Sequence, residues 1–144
     1  MISRSSKETE KIAKEFLIGL TPLKNKATVV GLYGELGTGK TTFTKSVAKI
    51  LGIKSKVNSP TYVIMKSYKL KGKSYKNLFH IDAYRLKNEK ELLHLGWNEI
   101  IENKEHLVFI EWPENVIKAL PKKHHQIHIT HTKEGHRKFR IKKV

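Results

Sequence analysis

The sequence predicts an α/β fold: a single domain spanning residues 1–144, with a mixed central sheet, helices on both faces and β-hairpin insertions. Three observations carry that expectation. Residues 27–33 (ATVVGLY) form an apolar, β-branched run that passes through a glycine-rich turn into a stretch with Phe43, Val47, Ile50 and Leu51 at helical spacing. Residues 107–110 (LVFI) are apolar without a break, as suits a strand buried on both faces. Glycine turns at Gly72 and Gly135 each separate two strand-like runs, adding hairpins to what would otherwise be a parallel sheet.

The turn between the first strand and its helix is the most informative stretch. Gly34, Glu35, Leu36, Gly37, Thr38, Gly39, Lys40 and Thr41 fit G-x-x-x-x-G-K-[ST] at every fixed position, the Walker A loop of P-loop NTPases. Glycine lets the backbone turn successive N–H groups inward and make a concave nest for anionic oxygens. The helix that follows adds unpaired N–H groups and the positive end of its dipole at the same point. Lys40 is then placed to bridge the β- and γ-phosphates, and the Thr41 hydroxyl to ligate Mg²⁺. A P-loop NTPase-like domain that binds a nucleoside triphosphate is the expectation.

Other elements follow in order. Residues 5–20 read as a first helix: Ser5 and Glu8 make a capping box, and Ile12, Ala13, Phe16, Leu17 and Leu20 share one face before Pro22 closes it. Gly52 stops the second helix. Ser59, Pro60 and Thr61 form an extended loop, because proline fixes its own φ and turns its predecessor away from helix. Its distance past the phosphate loop suits a segment that senses the γ-phosphate, and equally an ordinary proline-bearing connection.

Residues 62–70 and 75–81 read as two strands joined around Gly72, and Asp82 ends the second. A carboxylate there suits a metal- or water-holding acid and equally an N-cap. A short helix over 88–95 starts at Asn88 and is followed by Gly96. The buried run 107–110 ends at Glu111, Trp112 and Pro113. An acid at the tip of such a strand follows the logic of Walker B, which holds Mg²⁺ or its water; the alternative is a salt-bridged surface glutamate. A brief helix over 115–120 stops at Pro121, and 126–130 with 138–141 read as a closing hairpin. His124, His125, His128, His131 and His136 lack the tight spacing of a metal site.

Composition sets further bounds. No cysteine is present, which excludes disulfides and thiolate metal sites. No apolar run approaches the roughly 18 residues of a membrane helix, and the polar N-terminus lacks a signal peptide's apolar core. A cytoplasmic protein without a membrane partner is expected. Lys and Arg number 29 against 13 acids, a formal net charge of +16. That excess attracts nucleic acid by counterion release, or it is a diffuse basicity spread over a solvated surface.

Together the motifs resemble the TsaE family, the small bacterial ATPases of tRNA threonylcarbamoyladenosine biosynthesis. The likeness covers nearly the whole chain and rests on Gly34 to Phe43, Asn58-Ser59-Pro60-Thr61-Tyr62, His80-Ile81-Asp82-Ala83-Tyr84-Arg85, Glu91 with Leu95-Gly96, and Ile110-Glu111-Trp112-Pro113. It implies that the loop from Gly34 through Thr42 holds the phosphates of ATP, with Lys40 on the β/γ oxygens and Mg²⁺ on Thr41 and Glu111. It implies a nucleotide-responsive switch at Ser59, Pro60 and Thr61, catalysis by Lys40, Asp82 and Glu111, and support of the site by Trp112. Thr9 would lie near the base or ribose, and Arg137 would approach from the last hairpin. The partners implied are TsaD and TsaB, with tRNA reached through them and direct RNA contact open. Hydrolysis by the chain alone is expected to be weak, with Arg85 the candidate arginine in cis.

Two other functions fit the fold: a small-molecule kinase, and an RNA-binding module for which nucleotide is a regulatory ligand. A kinase needs an acceptor pocket and an arginine-rich lid, and neither is legible. No N-K-x-D-like element of GTP specificity is present, which favours ATP.

Overall fold

In the computed structural model, residues 1–54 and 64–144 are described. The sequence-predicted switch residues Ser59, Pro60 and Thr61 lie outside them. The chain forms a seven-stranded mixed sheet in the order β1-β7-β6-β2-β5-β4-β3. Its strands are β1 (Ile2–Ser3), β2 (Thr28–Tyr33), β3 (Met65–Lys69), β4 (Asn77–Asp82), β5 (His106–Glu111), β6 (His125–His131) and β7 (Arg137–Lys142). β6, β2, β5 and β4 run parallel, while β3, β7 and β1 add antiparallel edges.

Alternation along the strands sends side chains to two separate cores. Val30 and Leu32 of β2, Leu107 and Phe109 of β5, Ile127 and Ile129 of β6 and Phe139 of β7 face helices α1 (Ser6–Ile18) and α2 (Lys40–Ile50). Four phenylalanines, Phe16, Phe43, Phe109 and Phe139, meet there, with Phe43 5.7 to 6.3 Å from the other three rings and the Phe16–Phe109 pair nearly perpendicular. Val29, Ile81, Val108 and Ile110 face the other way, onto α3 (Glu89–Leu93), α4 (Trp97–Ile101) and a 3₁₀ helix (Pro113–Ala119). Burial on both faces is why β2 and β5 read as continuous apolar runs.

The expected helices form, with boundaries moved by their caps. α1 begins after Ser5, whose hydroxyl accepts the Glu8 N–H at 3.2 Å, while the Glu8 carboxylate reaches back to the Arg4 N–H. The predicted helix over 88–95 ends at Leu93, because Gly96 turns left-handed (φ 83°) and starts a second short helix, α4. The stretch predicted as a helix over 115–120 is a 3₁₀ helix opened by Pro113 and kinked at Val116. β1 carried no periodic signal, since two residues cannot show one. It is held by its pairing with β7 and by the Phe139 N–H donating to the Met1 carbonyl at 2.7 Å.

Phe43 is fully buried at the centre of the aromatic cluster, so Phe43→Ala removes a ring the surrounding sheet and helices cannot replace. A loss of about 3–5 kcal/mol in unfolding free energy is expected, measured as a lower denaturant midpoint. A loss below about 1 kcal/mol, the range of exposed sites, would mean the cluster is not the core of this face.

Candidate nucleotide site

Parallel pairing brings the site together. Leu32 of β2 and Asp82 of β4 are both register partners of Glu111 on β5, so the strands end level at one edge of the sheet. The loop after β2 crosses this edge and enters α2 at Lys40. Two glycines are required by geometry. Gly34 (φ 155°) has the Ile129 carbonyl oxygen 2.6 Å from where a Cβ would stand, and Gly39 (φ 106°) has the Arg137 guanidinium at 2.8 Å. The loop is pinned further where the Thr38 hydroxyl donates to the Glu35 carbonyl at 2.9 Å and the His131 ring meets the Gly37 carbonyl at 3.1 Å.

Lys40 sits inside this turn, almost fully buried. Its ammonium donates to the Gly34 carbonyl and, at 3.2 Å, to that of Glu35. The same nitrogen stands 4.0 Å above the Trp112 ring centre, a cation–π contact. Burial holds the Lys40 pKa below the usual lysine value, against the opposing charges of Glu111, Glu114, Asp82 and Glu35.

Trp112 reaches that position by an unusual backbone. At φ 57° it is the one non-glycine residue with positive φ among the described residues, a conformation L-residues avoid and local structure must enforce. Its ring also lies 5.0 Å from that of Tyr84.

The acids are held in a chain of contacts. Glu111, at the tip of β5 and almost fully buried, accepts the Thr41 hydroxyl at 3.1 Å and meets His80 Nε2 at 2.7 Å on the same oxygen. His80 belongs to β4 and is wholly buried; its Nδ1 has no partner among the described residues. A carboxylate only accepts, so toward Glu111 it is Nε2 that donates. Asp82 is half-buried and accepts the Tyr84 N–H at 3.0 Å. Burial raises its pKa above the usual carboxylate value, and the Glu111 charge adds to that; the Tyr84 hydrogen bond, His80 and Lys40 act the other way.

These groups surround a cavity of about 440 Å³, lined by Leu36, Gly37, Gly39, Lys40, Thr41, Thr42, Ile64, Asp82, Tyr84, Arg85, Glu111, Trp112 and Arg137. Most of the residues singled out in the sequence meet here. Gly34, Glu35 and Thr38 shape the loop from behind. Thr9, expected near base or ribose, does not line this cavity: it is buried, and its hydroxyl pairs with that of Ser3 at 2.7 Å. A smaller cavity of about 230 Å³, lined by residues 3–6, Gly135, His136 and Arg137, adjoins through Arg137. Sequence reasoning quoted His80 and Tyr84 within a motif without giving either a role. The clue for His80 was positional: it precedes Asp82 by two residues, so it shares a strand face with that acid.

Three comparisons place the chain among known proteins. The family profile described as "Threonylcarbamoyl adenosine biosynthesis protein TsaE" matches residues 3–139. The tRNA threonylcarbamoyladenosine biosynthesis protein TsaE of Bacillus subtilis is 38% identical over 77% of this chain and 66% of its own length. Its namesake in Haemophilus influenzae is 38% identical over 67% of this chain and 58% of its own. The chain thus spans about two thirds or less of these two relatives, and 78% of the Rickettsia bellii protein of that name, which is 35% identical. The crystal structure of Bacillus subtilis YdiB superposes with a TM-score of 0.76 at 31% identity, over 96% of this chain and 80% of that one.

Replacing His80 by leucine keeps the packing volume but leaves a buried carboxylate without its closest donor. His80→Leu is expected to lose about 1.5–3 kcal/mol of stability without any ligand, and His80→Gln, which retains an N–H donor, to lose less. Equal melting temperatures for wild type and His80→Leu would show that the contact contributes nothing.

Proposed function

The chain belongs to the TsaE family, and from that premise we propose that it is the ATP-binding and ATP-hydrolysing accessory subunit of the cytoplasmic machinery that forms N6-threonylcarbamoyladenosine in tRNA, acting with TsaD and TsaB. The observation that carries this reading is the convergence of Lys40, Thr41, Asp82 and Glu111 on one cavity at the strand ends. Among the described residues no helix is long and apolar enough to cross a membrane.

The residues divide the work by charge. Backbone N–H groups of the loop and of the start of α2 face the phosphate oxygens. Lys40, now satisfied by two neutral carbonyls, exchanges them for β- and γ-oxygens, because charge-assisted hydrogen bonds are roughly twice as strong. Burial disfavours the Lys40 charge, and a triphosphate beside it offsets that cost. Arg137, which borders both cavities, leads the nucleoside towards the smaller recess beside Ser3 and Arg4; Thr9 then supports that recess from behind through Ser3.

Thr41 and Glu111 supply hard oxygens 3.1 Å apart, a donor pair that fits Mg²⁺ completed by phosphate and water oxygens. When bound, that ion neutralises charge on the β- and γ-oxygens. Among the described residues no cluster of three or more His, Asp or Glu side chains forms a metal site by itself. Asp82, whose burial makes it readier to take a proton, orients the attacking water. His80 fixes the direction of the Glu111 carboxylate and acts only through it. Hydrolysis is weak in the isolated chain because one protein offers an incomplete cage for the transition state, and docking of TsaB–TsaD completes it.

Lys40→Ala is expected to weaken ATP binding by at least about 30-fold, the equivalent of the roughly 2 kcal/mol lower bound for losing a buried charge partner. Calorimetric titration with unchanged affinity would remove the loop from nucleotide binding. Glu111→Gln should bind ATP yet lose about 10²-fold or more in turnover with TsaB–TsaD present, as when a single transition-state contact is lost; full turnover would take Glu111 out of catalysis.

Trp112 offers an optical reading of the same event. In a Trp97→Phe background, which removes the buried indole, Mg-ATP should change Trp112 emission as Lys40 leaves its ring. A flat titration would separate the tryptophan from the nucleotide.

A further inference from the structure

We propose that the face of β6 and β7 opposite α1 and α2 is a docking surface for RNA, taking the phosphate backbone of tRNA directly, a role that goes beyond nucleotide hydrolysis. The two helical layers cover the sheet unequally. α1 and α2 pack over Ile127, Ile129 and Phe139, whereas the core under α3, α4 and the 3₁₀ helix contains no residue of β6 or β7. On the opposite face of this hairpin Thr130, Lys138, Arg140 and Lys142 are exposed, with Gln126 and His128 half-buried.

That face carries one sign of charge. Lys138, Arg140 and Lys142 alternate along β7 and are all exposed, spaced about 7 Å apart at a rise of ~3.4 Å per residue. Their cross-strand partners on β6 are Thr130, His128 and Gln126, none of them an acid. No ion pair engages the three cations among the described residues. Like charges this close repel within one Debye length, about 8–10 Å, and a surface selected only for stability would intersperse acids. An anionic polymer relieves the repulsion and gains affinity by releasing its counterions.

The rest of the face suits RNA better than an acidic protein. His128 stacks on Tyr33 at 4.6 Å and 9°, and the Tyr33 hydroxyl meets His124 Nε2 at 2.9 Å. These rings sit beside the cations with their polar atoms already paired, His128 Nε2 with Gln126 Oε1 at 3.1 Å, and they add no acid to the face. The one acid whose charge reaches both Tyr33 and His128 is Glu114 of the 3₁₀ helix. No large exposed apolar side chain lies between residues 125 and 142, whereas the centre of a protein interface is apolar.

The test compares two triple variants of equal net charge in the full chain, using an unmodified tRNA transcript as probe over a salt series. K138Q/R140Q/K142Q alters this face; K7Q/K11Q/K14Q alters exposed positions of α1. The first is expected to bind tRNA at least tenfold more weakly at low salt and to flatten the log–log salt slope by about 2–3, near 0.7–0.9 for each lost phosphate contact. The second should behave as wild type. Equal losses in both variants would show diffuse basicity and overturn the proposal, as would absence of tRNA binding by the wild type. It would also be overturned if the β7 variant kept tRNA binding but lost TsaB–TsaD. ATP affinity and melting temperature, measured on each variant, should not change. Failure of ATP binding in the wild type would sink the nucleotide reading and leave this one standing.

Discussion

Parallel pairing of β2 with β5 is the constraint on which the site depends. With Leu32 opposite Glu111, the phosphate loop leaves one strand at the level where the acid ends the other. β4 pairs on the far side of β5 and sets Asp82 level with Glu111. A slip of one residue in either register would turn Glu111, His80 or Asp82 towards the opposite core. The two apolar layers, one on each face, are what forbid that slip.

Within this frame the loop holds an unsatisfied arrangement of charge. A buried ammonium rests on two peptide carbonyls and an indole face, and a buried carboxylate is shared between a threonine hydroxyl and a histidine ring. Each group is held, and under the proposed function a triphosphate or a cation offers each a better partner. Preorganisation of this kind removes much of the cost of ordering the site when ligand arrives. The left-handed backbone at Trp112 belongs to the same design, since it is that turn which lays the indole under Lys40.

Much of this was legible in the sequence because phosphate binding makes strict local demands. The loop, its strand and its helix could be read from consecutive residues, and so could the buried run ending in Glu111. The pairing of acids across strands could be suspected but not placed, because β5 is apolar on both faces and its alternation is hidden. His80 was overlooked for that reason: its importance comes from a cross-strand contact, not a local pattern. Thr9 shows the converse limit. Its place in the opening turn of α1 was correct, but Ser3 lies between it and the recess, through a two-residue strand too short to be predicted. The scattered basic residues gave a net charge without a location, and only the topology set Lys138, Arg140 and Lys142 on one face.

The central claim is that Lys40 gives up peptide carbonyls for phosphate oxygens while Thr41 and Glu111 turn to a shared cation. A crystal structure with Mg²⁺ and a non-hydrolysable ATP analogue tests it most directly. The account predicts the Lys40 ammonium within hydrogen-bond distance of β- and γ-oxygens and withdrawn from the Trp112 ring, with Thr41 and Glu111 facing the metal. Phosphates bound elsewhere, or a Lys40 still resting on the Gly34 carbonyl beside an occupied site, would contradict it.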